Sequence, residues 1–283
     1  MPYNHSGEIG DLWKHLPLCD VLEIEKPMRY YETNAAYAEW LLEQTDRTLY
    51  GIFHAYKQED SELKNSSFFK ILTKINFVST HRYYGSPGLA MNILASTNTN
   101  FYFHDIEQQA LDDILKFSEK YNLKERVSVY CGDSINAFLQ ESYRFNQNDF
   151  IFIDPYTPFN CNESSKSFLD VFAKAYFSNA KTFLWYGYDS FSSKDDIFKK
   201  IKAITTDSKG IPIFTFDVRQ KDMNYNVCEV NPGVPGCGIA VANLSEASIK
   251  KIEEYLYIIG KLYCNMSFNS KDASLVINKK TFG

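Results

Sequence analysis

Asn148-Asp149-Phe150-Ile151-Phe152-Ile153-Asp154-Pro155-Tyr156-Thr157 is the stretch that most narrows what this chain can be. Its apolar run stops at Asp-Pro-Tyr, which suits a strand buried on both faces of a parallel sheet. Proline has no N–H to give a ladder, so pairing ends there. Asp154 is thereby left at the carboxyl end of a central strand, where open α/β sheets bind their ligands. A carboxylate followed by proline and an aromatic ring can accept hydrogen bonds from an amino group while the ring stacks on a planar base. The same residue type also caps helices, and spacing alone gives the two uses equal weight.

Strands and helices alternate on both sides of this run. Residues 28–33, 100–104, 127–130, 182–186, 211–218 and 237–243 read as strands, with a weaker one at 274–278. Residues 11–25, 107–119, 134–141, 166–178, 193–203 and 245–262 read as helices, each with apolar residues at helical spacing. Alternation of this kind predicts a doubly wound α/β sheet. Residues 211–218 and 237–243 have no full helix between them, which suits an antiparallel pair at one edge. Residues 1–10 read as an irregular arm, 37–44 and 66–75 as helical, and 48–56 as either strand or helix. His81 to Pro87 reads as a turn-rich loop, followed by a helix from Gly88 to Ala95. Because 37–79 is too long for one crossover, it is expected to be a helical insertion subdomain. The α/β domain then comprises 1–36 and 80–283.

The remaining composition mostly excludes. Apolar and charged fractions of 45% and 23% are those of an ordinary globular protein, and most of the 22 Phe and 20 Tyr must be core. A net charge of −5 gives no global pull toward nucleic acid, so such a partner needs a local basic patch, for which Arg29, Lys70, Lys74 and Arg82 are candidates. Six cysteines without a Cys-x-x-Cys pair and five histidines without ligand spacing argue against a metal site or a disulfide framework. Neither a leader pattern nor a membrane-length apolar run is evident, so a cytoplasmic, membrane-free protein is expected. No Gly-x-x-x-x-Gly-Lys and no Gly-x-Ser-x-Gly occur. Asn34-Ala35-Ala36-Tyr37-Ala38 stands where glycines would admit a dinucleotide pyrophosphate, and a cofactor without phosphates tolerates that better.

Polar residues end successive strands: Glu32 to Asn34, Asp105, Asp133 with Ser134, and Asp154. In a parallel sheet these lie on one rim. An acid after the second strand can take the two hydroxyls of a ribose, and an Asp-Ser pair after the third can bond an adenine amino group. Each of them can equally be a helix N-cap.

Taken in order, Tyr3-x-His5-Ser6, Lys14-His15, Glu32-Thr33-Asn34-Ala35, Arg82-Tyr83-Tyr84-Gly85-Ser86-Pro87, Asp105, Asp133, Ile153-Asp154-Pro155, Leu184-Trp185-Tyr186 and Gly238-Ile239-Ala240 form a longer pattern. It resembles the RlmJ-type 23S ribosomal RNA adenine-N6 methyltransferases, from about residue 3 to about residue 245. The resemblance implies a class I S-adenosylmethionine-dependent methyltransferase fold, Rossmann-like, with a small helical insertion after the first sheet strand. It implies that Lys14, His15, Asn34, Ser86, Asp105, Asp133 and Ser134 line the S-adenosylmethionine site. By the same resemblance Asp154 accepts hydrogen bonds from the adenine amino group that is methylated. Pro155 and Tyr156 would then hold the base, with Tyr3 on an amino-terminal arm nearby. The implied partner is naked or protein-poor 23S ribosomal RNA, and the implied state a monomer.

The chain departs from that pattern in three places. Asp154-Pro155-Tyr156-Thr157 replaces the family's Asp-Pro-Pro-Tyr, so the ring comes one residue early, with Phe159 as a candidate substitute. Asn34 replaces a histidine, and alanines replace glycines beside it, each methyl narrowing the space for the methionine part of the cofactor. The segment between Ser6 and Lys14 is shorter. These departures keep alternatives open: a family member that binds nucleic acid without catalysis, in line with the older label of external-DNA catabolism, or a methyltransferase acting on DNA or a small molecule.

Overall fold

The computed structural model describes residues 6–206, 210–223, 230 and 233–283; Tyr3 and His5 lie outside the described residues. Helix α1 (Ile9–Glu25) leads into β1 (Arg29–Glu32), β2 (Glu39–Leu41) and five short helices: α2 (Asp46–Tyr50), α3 (Ile52–Tyr56), α4 (Ser61–Asn65), α5 (Ser67–Lys74) and α6 (Phe77–Thr80). Then come β3 (Arg82–Tyr84), α7 (Ser86–Ile93), β4 (Asn100–Asp105), α8 (Gln108–Lys120), β5 (Val127–Cys131), α9 (Ser134–Leu139) and β6 (Asp149–Ile153). The second half holds α10 (Phe168–Phe177), β7 (Lys181–Tyr188), α11 (Phe191–Thr206), β8 (Ile213–Gln220), β9 (Gly236–Ala242) and α12 (Glu246–Leu262). It ends in β10 (Ser267–Phe268), β11 (Lys271–Asp272) and β12 (Leu275–Phe282).

Eight strands make one sheet in the order β12-β8-β9-β7-β6-β1-β4-β5. From β5 to β7 the neighbours run parallel, while β9 runs against both β7 and β8, and β12 against β8. This is the order of the class I methyltransferase sheet, with β12 added at its edge. The expected pair 211–218 and 237–243 is antiparallel, but the edge belongs to β12 because β8 needs a partner on its far side.

Every residue of β6 is buried, as its unbroken apolar run demands. Its first residue, Asp149, has a wholly buried side chain that takes Arg29 Nε and Nη2 at 2.6 and 2.8 Å. On one face of the sheet Tyr30 stacks on Phe150 with ring centres 6.0 Å apart, in a core shared with α1 and α12. On the other, Tyr31, Ile151, Ile153 and Tyr186 pack with residues of α10 and α11. The chain runs outward from β1 through β4 to β5, then resumes at β6 on the other side of β1. The order therefore reverses between β1 and β6, and the residues following these strands meet there: Asp154 N–H donates to Thr33 Oγ1 at 3.3 Å.

Several local expectations are corrected. α1 starts at Ile9, inside the segment expected to be irregular, and continues through Pro17. Residues 37–44 are not helical: Glu39–Leu41 is a strand paired antiparallel with Arg82–Tyr84, which lies in the expected loop. Pairing across that distance in sequence overrides the local helical pattern. Residues 48–56 resolve into two short helices. Arg29 and Arg82 are spent on internal carboxylates, Asp149 and Glu39, rather than held out as phosphate ligands. Lys70 and Lys74 remain exposed on α5.

Candidate functional site

At the point where the order reverses, the carboxyl ends of β1, β4 and β6, the side of α1 and the first residues of α7 line a cavity of about 320 Å³. Lys14, His15, Asn34, Ser86, Asp105, Asp154 and Tyr156 all line it, drawn from five separate stretches of sequence. An adjoining hollow of about 620 Å³ is lined by Asp133 and Ser134 and shares Asn34 and Asp105 with the first. Pro155 is buried and lines neither.

Charge in the first cavity centres on Lys14. Its Nζ lies 2.6 Å from Asp154 Oδ2 and 2.9 Å from Asp11 Oδ1, and the side chains are 10%, 8% and 15% exposed respectively. Burial alone would lower the Lys14 ammonium, but the two carboxylates outweigh it and hold the ammonium above its ordinary range. Burial pushes the Asp154 carboxyl up to about 6, and the Lys14 charge only partly opposes this. Among the described residues Asp154 Oδ1 is buried and has no hydrogen-bond partner. An unpaired buried carboxylate oxygen costs free energy, so a partner supplied by a ligand is favoured there.

His15 follows Lys14 on α1. Its Nδ1 is 2.7 Å from the Tyr83 hydroxyl, and its Nε2 is buried with no partner among the described residues. Burial pulls the imidazole down to about 3, so the ring is neutral at any physiological pH. The Tyr83-Tyr84 pair does more than fill space, since Tyr83 fixes the His15 ring and Tyr84 meets the Tyr121 hydroxyl at 2.6 Å.

Glu32, fully buried at the end of β1, accepts from the Ser86 and Tyr30 hydroxyls at 2.5 and 2.9 Å. Burial drives its carboxyl well above the ordinary range. Ser86 is thereby tied to the first strand at the wall of the cavity.

The other rim acids carry local duties as well. Asp105 accepts the Ala36 N–H on Oδ2 at 2.9 Å and the Glu107 N–H on Oδ1 at 2.8 Å, which pins the loop after β1 against the loop after β4. Ala36 sits at φ 54°, in the left-handed region that favours glycine. Asp133 Oδ1 caps α9, accepting from Ile135 and Asn136 N–H at 2.8 and 3.2 Å. A carboxylate has about four acceptor positions, so both acids keep capacity for a ligand hydroxyl or amine.

Tyr156 is 48% exposed, and its hydroxyl donates to Asp189 Oδ1 at 2.7 Å. Wall residues that the sequence reading gave no role include Asp11, Trp40, Glu107 and Trp185. Asp11 was discoverable as the i,i+3 partner of Lys14 on a helix. Trp185 stood inside the Leu-Trp-Tyr stretch, where alternation along β7 turns it toward the cavity and Tyr186 away from it.

No family model and no curated protein matches the chain. Among solved structures, protein LPL1258 from Legionella pneumophila str. Philadelphia 1, of the DUF519 family, is 20% identical, with 97% of this chain and 98% of that one aligned at a TM-score of 0.74. The shared architecture thus runs nearly end to end. The O-methyltransferase from Bacillus cereus in complex with SAH is 14% identical over 81% of this chain and 80% of its own, at a TM-score of 0.42. That likeness is too distant to carry more. The chain has the class I methyltransferase fold, with a cleft of buried, partly unpaired polar groups where its sheet reverses order.

Proposed function

We propose that the chain transfers a methyl group from S-adenosylmethionine to the N6 amino group of an adenine in 23S ribosomal RNA. The observation that carries this reading is Asp154, a carboxylate at the reversal of the sheet with one oxygen held by Lys14 and the other without a partner among the described residues. The resemblance of the motif pattern to the RlmJ-type enzymes supplies the acceptor.

The residues present fit the cofactor. Two adjoining hollows offer an acid after β4, an Asp-Ser pair after β5, and a buried His15 Nε2 with no partner among the described residues. Asp105 would take ribose hydroxyls, Asp133 and Ser134 the adenine edge, and Lys14, His15, Asn34 and Ser86 the amino-acid end. Bound there, S-adenosylmethionine supplies a methyl group activated on a sulfonium.

The chain's own part is placement. Asp154 Oδ1 accepts an N–H of the exocyclic amine, which turns the nitrogen lone pair toward the methyl group. Lys14 fixes the other oxygen, so the carboxylate cannot rotate away. The amine becomes acidic once methylated, and Asp154, with its carboxyl near 6, is suited to help its proton leave. Tyr156 lies beside Asp154 to stack on the base. An adenine reaches such a hollow only when unstacked, so the acceptor is single-stranded or flipped out. Exposed Lys70 and Lys74 remain as phosphate ligands for a protein of net charge −5.

Transfer of labelled methyl to unmodified 23S ribosomal RNA, with naked DNA in parallel, tests the reading. Wild-type activity on RNA, lost in Asp154→Ala, is expected; transfer indifferent to that substitution removes Asp154 from its role. One observation favours a rival: Lys14 already neutralises Asp154, as it would in a fold that binds nucleic acid without catalysis. Calorimetry with S-adenosylmethionine separates the two, since the rival gives no heat.

A further inference from the structure

We infer that Asp189 and Gly187 position the Tyr156 ring as the platform for the acceptor base, which lets this chain use a loop whose ring directly follows Pro155. The inference rests on the reading of the cleft as a site of transfer to the amino group of a planar base. Both residues come from the end of β7, the strand that runs parallel beside β6.

The ring is held at both ends. At its base, Tyr156 O accepts the Gly187 N–H at 2.9 Å. At its tip, the hydroxyl donates to the exposed Asp189 carboxylate at 2.7 Å. Between these anchors the ring lies over Gly187, where an added Cβ would come 3.2 Å from Tyr156 Cε2 and 3.2 Å from Tyr156 O. A methyl at 187 would therefore require the ring and its loop to give by a few tenths of an ångström.

Tyr186 and Tyr188 on the same strand are 0% and 2% exposed, ordinary core rings, whereas Tyr156 is 48% exposed and lines the cavity with Asp154. An exposed ring with a fixed hydroxyl gives a stacking face whose ordering cost is already met before the base arrives. The one-residue shift of the aromatic is thus met by a partner on the neighbouring strand. Phe159 is not needed as a substitute: it lines a separate hollow with Asp196, Lys199 and Lys200.

Kinetics of methyl transfer to RNA test this with Asp189→Ala, Asp189→Asn, Tyr156→Phe and Gly187→Ala. Asp189→Ala is expected to raise KM for RNA about fivefold, the worth of roughly one hydrogen bond, with KM for S-adenosylmethionine unchanged. Asp189→Asn keeps an acceptor oxygen and should stay within about twofold of wild type. Tyr156→Phe should match Asp189→Ala, and combining the two should add nothing. Gly187→Ala should again raise KM for RNA alone. Asparagine no better than alanine, or equal losses for both substrates, overturns the proposal.

A second readout needs no methyl transfer. With 3-fluorotyrosine at position 156, the fluorine resonance should shift and narrow in Asp189→Ala and hold in Asp189→Asn; an unchanged line in Asp189→Ala overturns the anchor. If the wild type methylates nothing, the functional reading fails and takes the platform role with it, while the fluorine signal still judges the anchor.

Discussion

Lys14→Met removes the cation between two buried carboxylates and keeps nearly the same volume. Lys14 Nζ sits 2.6 Å from Asp154 and 2.9 Å from Asp11, and none of the three side chains is more than 15% exposed. Deleting one partner of such a pair leaves charge with neither water nor counter-ion, which costs about 3–5 kcal/mol. The cost must depend on pH. With Lys14 present, Asp154 titrates near 6 because burial already outweighs the ammonium; without it the carboxyl moves higher. Asp11, which burial also pushes up, is held low by Lys14 and loses that support. A carboxyl whose folded pKa exceeds its unfolded value binds more protons in the fold, so its stability contribution falls as pH rises through that window. Removing Lys14 extends the Asp154 window upward and lifts Asp11 out of its lowered range, and each tenfold gain in proton affinity is worth about 1.4 kcal/mol. Urea denaturation should therefore show the full loss at pH 8 and less than half of it at pH 5, as a change in midpoint without a change in slope. Adding Asp154→Asn to Lys14→Met should recover part of the loss at pH 8. An equal loss at both pH values, or a double variant no stronger than the single one, refutes the reasoning.

Three further outcomes follow from the same geometry. Ala36→Gly relieves a left-handed backbone at φ 54° and should stabilise the protein by about 0.5–1 kcal/mol in thermal unfolding; destabilisation would show that the methyl packs usefully. Methyl transfer should climb from pH 5 to pH 7 with a midpoint near 6 as Asp154 ionises, and a flat profile over that range would detach the reaction from this carboxyl. Glu32→Gln removes a carboxyl that burial drives well above its ordinary range, so the variant should gain stability relative to wild type as pH rises from 5 to 8. A difference constant with pH would mean Glu32 is not perturbed in the fold.

What was legible in the sequence divides by distance along the chain. A strand buried on both faces writes itself as a local apolar run, so 149–153 and the position of Asp154 at its end were readable, as were the rim acids that close β4 and β5. Glu39–Leu41 was not readable, because what makes it a strand is Arg82–Tyr84, some forty residues on. The same holds for the chemistry. Asp11 and Lys14 share a helix face and announce each other, but the ion pair that partly offsets the burial of Asp154 joins residues 140 positions apart. Tyr156 shows the consequence most clearly. From its loop alone the ring comes one residue early, with Phe159 as the candidate substitute. The partner of Tyr156 is 33 positions away, at the end of the adjacent parallel strand. A change in a short motif therefore has to be weighed against the neighbouring strand end as well as the motif itself. In a parallel sheet each strand end is flanked by others that can supply the missing contact, so a rearranged loop is compatible with a working site whenever one of those ends carries the complementary group.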